Sequence, residues 1–138
     1  MATWKDVSRL ALALPDAEEG ATGHGGHRGW RVSKKLFVWE RPLRKTDLAA
    51  LGDAAPTGPI LGARTEHLVA KEALLADDPG IFFTTPHFDG YPAVLIRLPE
   101  IDLELLEEVV TEAWLARAPK RLVAGFLEER GGGITRGG

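Results

Sequence analysis

The sequence predicts an α+β domain in which helices cover one face of an antiparallel sheet, and three observations carry that expectation. The segments run helix, strands, short helix, strands and two helices, rather than in regular strand-helix repeats. The stretch from Glu100 to Ala118 places Leu103, Leu106, Val110, Ala113 and Trp114 along one side, with Glu104, Glu107, Glu108 and Glu112 largely elsewhere. Short runs rich in Val, Ile, Phe and Trp, such as LFVWER and AVLIRL, have strand length and are bounded by turn residues.

The elements follow in order. Thr3 can cap a helix whose apolar positions Trp4, Val7, Ala11 and Leu14 recur at helical spacing, with Asp6 in the first turn and Pro15 at the end. EEGATGHGGH then reads as a Gly-rich connector. It lacks the GxGxxG spacing and the flanking strand and helix of a dinucleotide loop. RGWRVS and LFVWER read as two strands joined through Lys34 and Lys35. Arg28, Trp30 and Val32 are expected on one face of the first, and Phe37, Trp39 and Arg41 on one face of the second. Neither Lys34 nor Lys35 is a Gly or Asn, so the spacing favours a loop longer than a two-residue primed turn.

A short helical turn at KTDLAALG and the Pro- and Gly-rich DAAPTGPILG lead into a strand near residues 60 to 65. HLVAKEALLAD reads as a short helix stopped by Asp78-Pro79-Gly80. IFFTT and AVLIRL are strands joined by PHFDGYP, where Asp89-Gly90 signals a turn. After the long helix, Pro119 suits the first turn of another, APKRLVAGFLEER. Residues 1–130 are expected to form one domain, and residues 131–138 a disordered Gly-rich tail.

The totals exclude several functions. The 138 residues are 44% hydrophobic and 27% charged, the composition of an ordinary globular domain. There is no Cys, which removes disulfides, thiolate catalysis and Cys-ligated zinc. The N-terminal apolar run is broken by Asp6 and Arg9, unlike a signal peptide, and no run reaches membrane-spanning length. A cytoplasmic, monomeric protein that does not engage membranes is expected. Charge is unevenly distributed. Between residues 24 and 45 seven Lys and Arg face one acid, a net +6, which leaves ten basic and nineteen acidic residues elsewhere, a net −9. Such a patch can attract a polyanion, or it can protect a sheet edge from aggregation.

Candidate chemistry is sparse. His24 and His27 have an HxxH spacing, but two nitrogens are too few for structural zinc, and a solvated loop explains them as well. His87, Asp89 and Tyr91 could supply a base, its orienting carboxylate and a phenolic donor, or could belong to a hairpin loop whose Phe88 and Tyr91 close the core edge. No nucleophile elbow or second acid cluster completes a hydrolase pattern, so no enzyme activity, catalytic residue, metal or cofactor is expected. Trp30 and Trp39 lie among basic residues, as on nucleic-acid surfaces, although at least one should be core. Lys120 and Arg121 stand at a helix N-terminus, where cations are disfavoured unless an anion binds.

The motifs RVSKKLFVW, HLVAKEALL, FFTTPHFDGYPAVLIRL and VTEAWLARAPKRL resemble the MmcQ/YjbR family, particularly its high-GC bacterial branch, over roughly residues 3 to 129. Lys34 stands where many members have a Gly. The resemblance implies a CyaY (frataxin)-like two-layer sandwich and a double-wing type of DNA-binding protein. The wing would map onto the hairpin through Lys34 and Lys35, and Arg28, Arg31, Lys34, Lys35 and Arg41 would then hold the phosphates of double-stranded DNA in a salt-sensitive manner without strong base choice. The competing expectation is a non-enzymatic small-molecule or protein interaction module, with a pocket at residues 86–92 formed by Trp39, His87, Asp89, Tyr91 and Arg121. Iron binding by analogy with frataxin would need a row of exposed acids that the first helix does not offer.

Overall fold

The computed structural model describes residues 2–22 and 26–135, with side chains as far as residue 129. It contains a six-stranded antiparallel sheet with strand order β1-β2-β3-β4-β6-β5. The strands are β1 (Ala17–Thr22), β2 (His27–Val32), β3 (Lys35–Glu40), β4 (Ile60–Arg64), β5 (Phe82–Phe83) and β6 (Ala93–Arg97). The helices are α1 (Trp4–Leu12), α2 (Lys45–Leu51), α3 (Leu68–Asp77), α4 (Leu103–Arg117) and α5 (Lys120–Thr135). This is the expected α+β arrangement. No helix among the described residues is long and apolar enough to cross a membrane.

The first face of the sheet carries the main core. Trp30, Val32, Phe37, Val38, Leu61, Ala63, Val94 and Ile96 pack there against Val7 and Ala11 of α1 and Leu106, Val110, Ala113 and Trp114 of α4. Each covering helix is fixed by its own sequence. Thr3 and Asp6 close a reciprocal capping box on α1, and Asp102 accepts the Leu105 amide at 2.8 Å to start α4. The buried Trp rings also find polar partners. Trp114 Nε1 donates to the Pro15 carbonyl at 3.0 Å, and Trp30 Nε1 to Glu19 at 3.0 Å.

Three expectations need correction. EEGAT within the supposed connector is β1, an edge strand in register with β2 from Ala17↔Val32 to Thr22↔His27. Its charged, Gly-containing sequence hides it, because an edge strand is specified by its partner more than by its own propensity. The hairpin between β2 and β3 turns on Ser33 and Lys34, not on Lys34 and Lys35. Both residues have positive φ, 48° and 69°, so this is a tight two-residue turn built without Gly or Asn. The third correction concerns sheet faces. The pairing Trp30↔Val38 is followed by Arg31↔Leu36, so Phe37 is an extra residue in a β-bulge. Phe37 and Val38 therefore both enter the main core, and Trp39 is turned to the opposite face.

That second face holds a smaller apolar cluster of Ile60, Phe83, Phe88, Ala93 and Leu95, with Trp39, Leu43 and Leu51 packed against it. Leu51 of α2 and the loop before β6 cover part of it. At the C-terminus α5 packs Phe126 on Trp114, ring centroids 4.9 Å apart, and continues through residues 131–135. Residues 136–138 lie outside the described residues.

Gly62 of β4 lies beneath the Trp39 indole, and a Cβ there would fall within 3.0 Å of three ring atoms. Gly62→Ala is expected to push Trp39 off the sheet and destabilise the protein by about 1–3 kcal/mol. Chemical denaturation, together with a red shift in Trp emission, checks it.

Candidate functional site

A groove of ≈ 910 Å³ opens on the second sheet face. Its floor is Leu36 and Trp39 of β3, and one wall is the loop carrying His87, Phe88, Asp89, Gly90 and Tyr91. The segment Arg41 to Arg44 forms a second wall, and Arg64 and Arg117 stand at the end of the sheet. The volume lies within the usual range for small-ligand sites.

The loop wall is built by backbone chemistry. Pro86–Phe88 make one 3₁₀ turn, Phe88 is buried, and Gly90 takes φ 71°, which returns the chain towards β6. Lys71 of α3, only 3% exposed, reaches beneath this loop and donates from Nζ to the carbonyls of Phe88 at 2.6 Å and Tyr91 at 2.9 Å. Burial pulls its pKa below the ordinary lysine value, and the nearby Asp89 and Glu72 charges oppose that pull. Sequence reading placed Lys71 as an ordinary residue of a short helix. Nothing in its spacing marks it, because its partners are backbone carbonyls 17 and 20 residues away.

The second wall rests on an ion pair. Arg41 Nη1 lies 3.0 Å from Asp47 Oδ2, with the side chains 7% and 2% exposed. Asp47 also accepts the Arg44 amide at 2.9 Å, which fastens the start of α2. Burial raises the Asp47 pKa, but the Arg44 amide and the Arg41 guanidinium outweigh it and hold the carboxyl below its ordinary value. Arg41 stacks over the Phe88 ring, 5.3 Å from its centroid, and so joins the two walls.

The structure divides the expected phosphate-binding set. Arg28 is exposed but lies over Trp4 of α1, on the helix-covered face, at 6.0 Å from the ring centroid. Arg31 is half-buried, Arg41 is committed to Asp47, and only Lys34 and Lys35 stand exposed at the hairpin tip. Of the expected pocket set, Trp39, His87, Asp89 and Tyr91 do converge on the groove, whereas Arg121 is exposed on α5 and does not line it. Arg117, four residues earlier at the end of α4, takes that place, because the chain turns away at Ala118 and Pro119 before α5 begins. His87 packs edge-on against Phe88 at 5.0 Å, and no hydrogen bond among the described residues links it to Asp89 or Tyr91. The loop is thus a hairpin connection closed by Phe88 that also presents polar groups to a groove. His27 Nδ1 lies 3.9 Å from Glu40, and His24 is outside the described residues.

Two predictions follow from the walls. Asp47→Asn should leave Arg41 buried without its counter-charge and cost about 3 kcal/mol in denaturant unfolding. Because the folded carboxyl titrates below 3.8, its stabilisation is complete above that pH and is lost as pH falls through the lower folded value. Acid titration of wild type and variant should therefore converge there. Lys71→Met keeps the apolar stem but abandons two carbonyls, at a cost of about 1–3 kcal/mol. Hydrogen exchange at the Asp89 and Tyr91 amides of the loop should speed up in the variant while that of the sheet amides stays unchanged.

No family model matches the chain. It is 54% identical over 134 residues to the uncharacterised protein Rv2570 of Mycobacterium tuberculosis and, to the same extent, to Mb2600 of Mycobacterium bovis, covering 95% of this chain and 100% of theirs. The crystal structure of Deinococcus radiodurans protein DR2400, described as a DUF419 domain, superimposes with a TM-score of 0.62 over 83% of this chain and 78% of that one. At 17% identity the likeness shows a shared fold. The close match along the whole of the mycobacterial proteins places this chain in their family.

Proposed function

We propose that this protein is a non-enzymatic binding module that holds a small anionic organic molecule in the groove over Trp39. The observation that carries this reading is the convergence of Arg44, Arg64 and Arg117 with the half-buried Trp39 ring in one groove of small-ligand size, beside the Asp47-paired Arg41. Arginine supplies planar donors for carboxylate or phosphate oxygens, and the indole supplies a flat apolar surface.

The resemblance to MmcQ/YjbR proteins supports a second reading, duplex DNA held by the hairpin as a wing. The observation in its favour is that Lys34 and Lys35 project, exposed, from a tight turn. Two cations at a tip favour contact with few phosphates and a shallow salt dependence.

The two readings separate in one set of titrations. With 8-anilinonaphthalene-1-sulfonate, an anionic aromatic probe, the Trp39 indole N–H signal in a ¹H-¹⁵N spectrum should shift while those of buried Trp30 and Trp114 stay in place. Arg117→Gln should weaken the probe. With a labelled duplex, binding at low salt that Lys34→Glu/Lys35→Glu abolishes and Arg117→Gln leaves intact would favour the wing. Absence of any probe shift at Trp39 would remove the groove reading.

A further inference from the structure

The end of the groove carries an unusual concentration of uncompensated charge. Arg64 and Arg117 are each partly buried, and neither is within ion-pair distance of a carboxylate among the described residues. The Nε of each is buried and has no hydrogen-bond partner. The Arg117 pKa is pulled below the ordinary guanidinium value by burial and then by the neighbouring Arg64 charge. Arg64 Nη1 donates to the Tyr91 hydroxyl at 2.9 Å, and its guanidinium carbon lies 4.9 Å from the centre of that ring. Since the hydroxyl oxygen accepts from Arg64, its proton is left to donate. Further along the groove Arg41, a 94%-buried residue, also keeps one Nη without a partner.

Two like charges brought together without a carboxylate destabilise a folded protein unless something negative joins them. The donors available are guanidinium N–H groups and one phenolic O–H, all suited to oxygen acceptors. We propose that Arg64, Arg117 and the Tyr91 hydroxyl form a subsite for a dianionic oxyanion, the phosphomonoester group of a small organic molecule whose apolar part lies along Trp39. Two positive charges match a monoester dianion better than a carboxylate or a phosphodiester, each of which brings a single charge. The apolar floor of Leu36 and Trp39 continues directly from this charged end. This assignment rests on the groove being the ligand site.

The test uses phenyl phosphate, benzoate and phenol, titrated calorimetrically into the full-length protein at low ionic strength. Phenyl phosphate should bind about 10- to 100-fold more tightly than phenol, the value expected for charge-assisted hydrogen bonds. Its affinity should fall as pH drops below about 6, where the dianion takes up a proton. Arg117→Gln and Arg64→Gln should each erase most of the preference, and Arg117→Lys, which keeps the charge but loses the planar fork, should recover part of it. Circular dichroism of each variant establishes that it is folded. If phenol and phenyl phosphate bind equally, the groove remains a ligand site through its apolar floor, but the subsite fails and with it the preference for anions. Benzoate binding as tightly as phenyl phosphate overturns the dianion assignment. Phosphate preference that survives both Gln variants places the anion elsewhere, and no binding by any of the three removes the groove reading together with its subsite.

Discussion

The second face of the sheet depends on the buried ammonium of Lys71. An antiparallel sheet with helices on one side leaves its other side open, and a loop can wall it only if the loop's own carbonyls are satisfied. Lys71 satisfies two of them, at Phe88 and Tyr91. With those fixed, Phe88 drops into the small cluster with Ile60, Phe83 and Leu95, and Tyr91 stands where Arg64 can stack on it. Arg41 then stacks on the other side of this arrangement, over Phe88, and Asp47 holds Arg41 in turn. The chain of contacts from α3 through the loop to α2 is short, and each member is a cation meeting either carbonyls, a ring or a carboxylate.

The bulge at Phe37 acts on the same face from the opposite direction. Without the extra residue, strict alternation would direct Trp39 with Phe37 to the main core, already filled by Trp30 and Trp114. The bulge places two consecutive apolar residues in that core and turns the indole outward, onto Gly62, whose missing side chain leaves room for it. The groove floor is therefore a packing consequence: a large ring excluded from a full core, seated over a glycine on the neighbouring strand.

Legibility in the sequence varied with the range of the interaction. The capping box of α1, the amphipathic α4 and the apolar strands β4 and β6 were readable because their signals lie within a few residues. β1 was not, since its six residues are exposed or half-buried and are defined by hydrogen bonds to β2. The positive φ at Ser33 and Lys34 was hidden for a related reason: the registers of both strands impose a tight turn that the turn residues themselves do not favour. Within the site, Trp39, His87, Asp89 and Tyr91 could be singled out as chemistry-bearing residues near turns. Arg64 carried no local signal, Arg117 stood out only as a cation in the last turn of the long helix, and Arg121 was preferred for its place at a helix start.

By itself the sequence determined the class of fold, the helical cover, the absence of cysteine chemistry and the segment in which positive charge gathers. These follow from composition and from periodicities of two and 3.6 residues, which act over single elements. Only the tertiary structure decided which of those charges face one another. Arg28, Arg31, Lys34, Lys35 and Arg41 are neighbours in the chain yet end on different faces or in an ion pair, whereas Arg64 and Arg117, 53 positions apart by their numbers, meet at the end of one groove. The physical reason is that a side chain's surroundings are set by strand pairing, by a bulge that reverses a face and by where a helix stops. Each of these is a contact between segments distant in sequence.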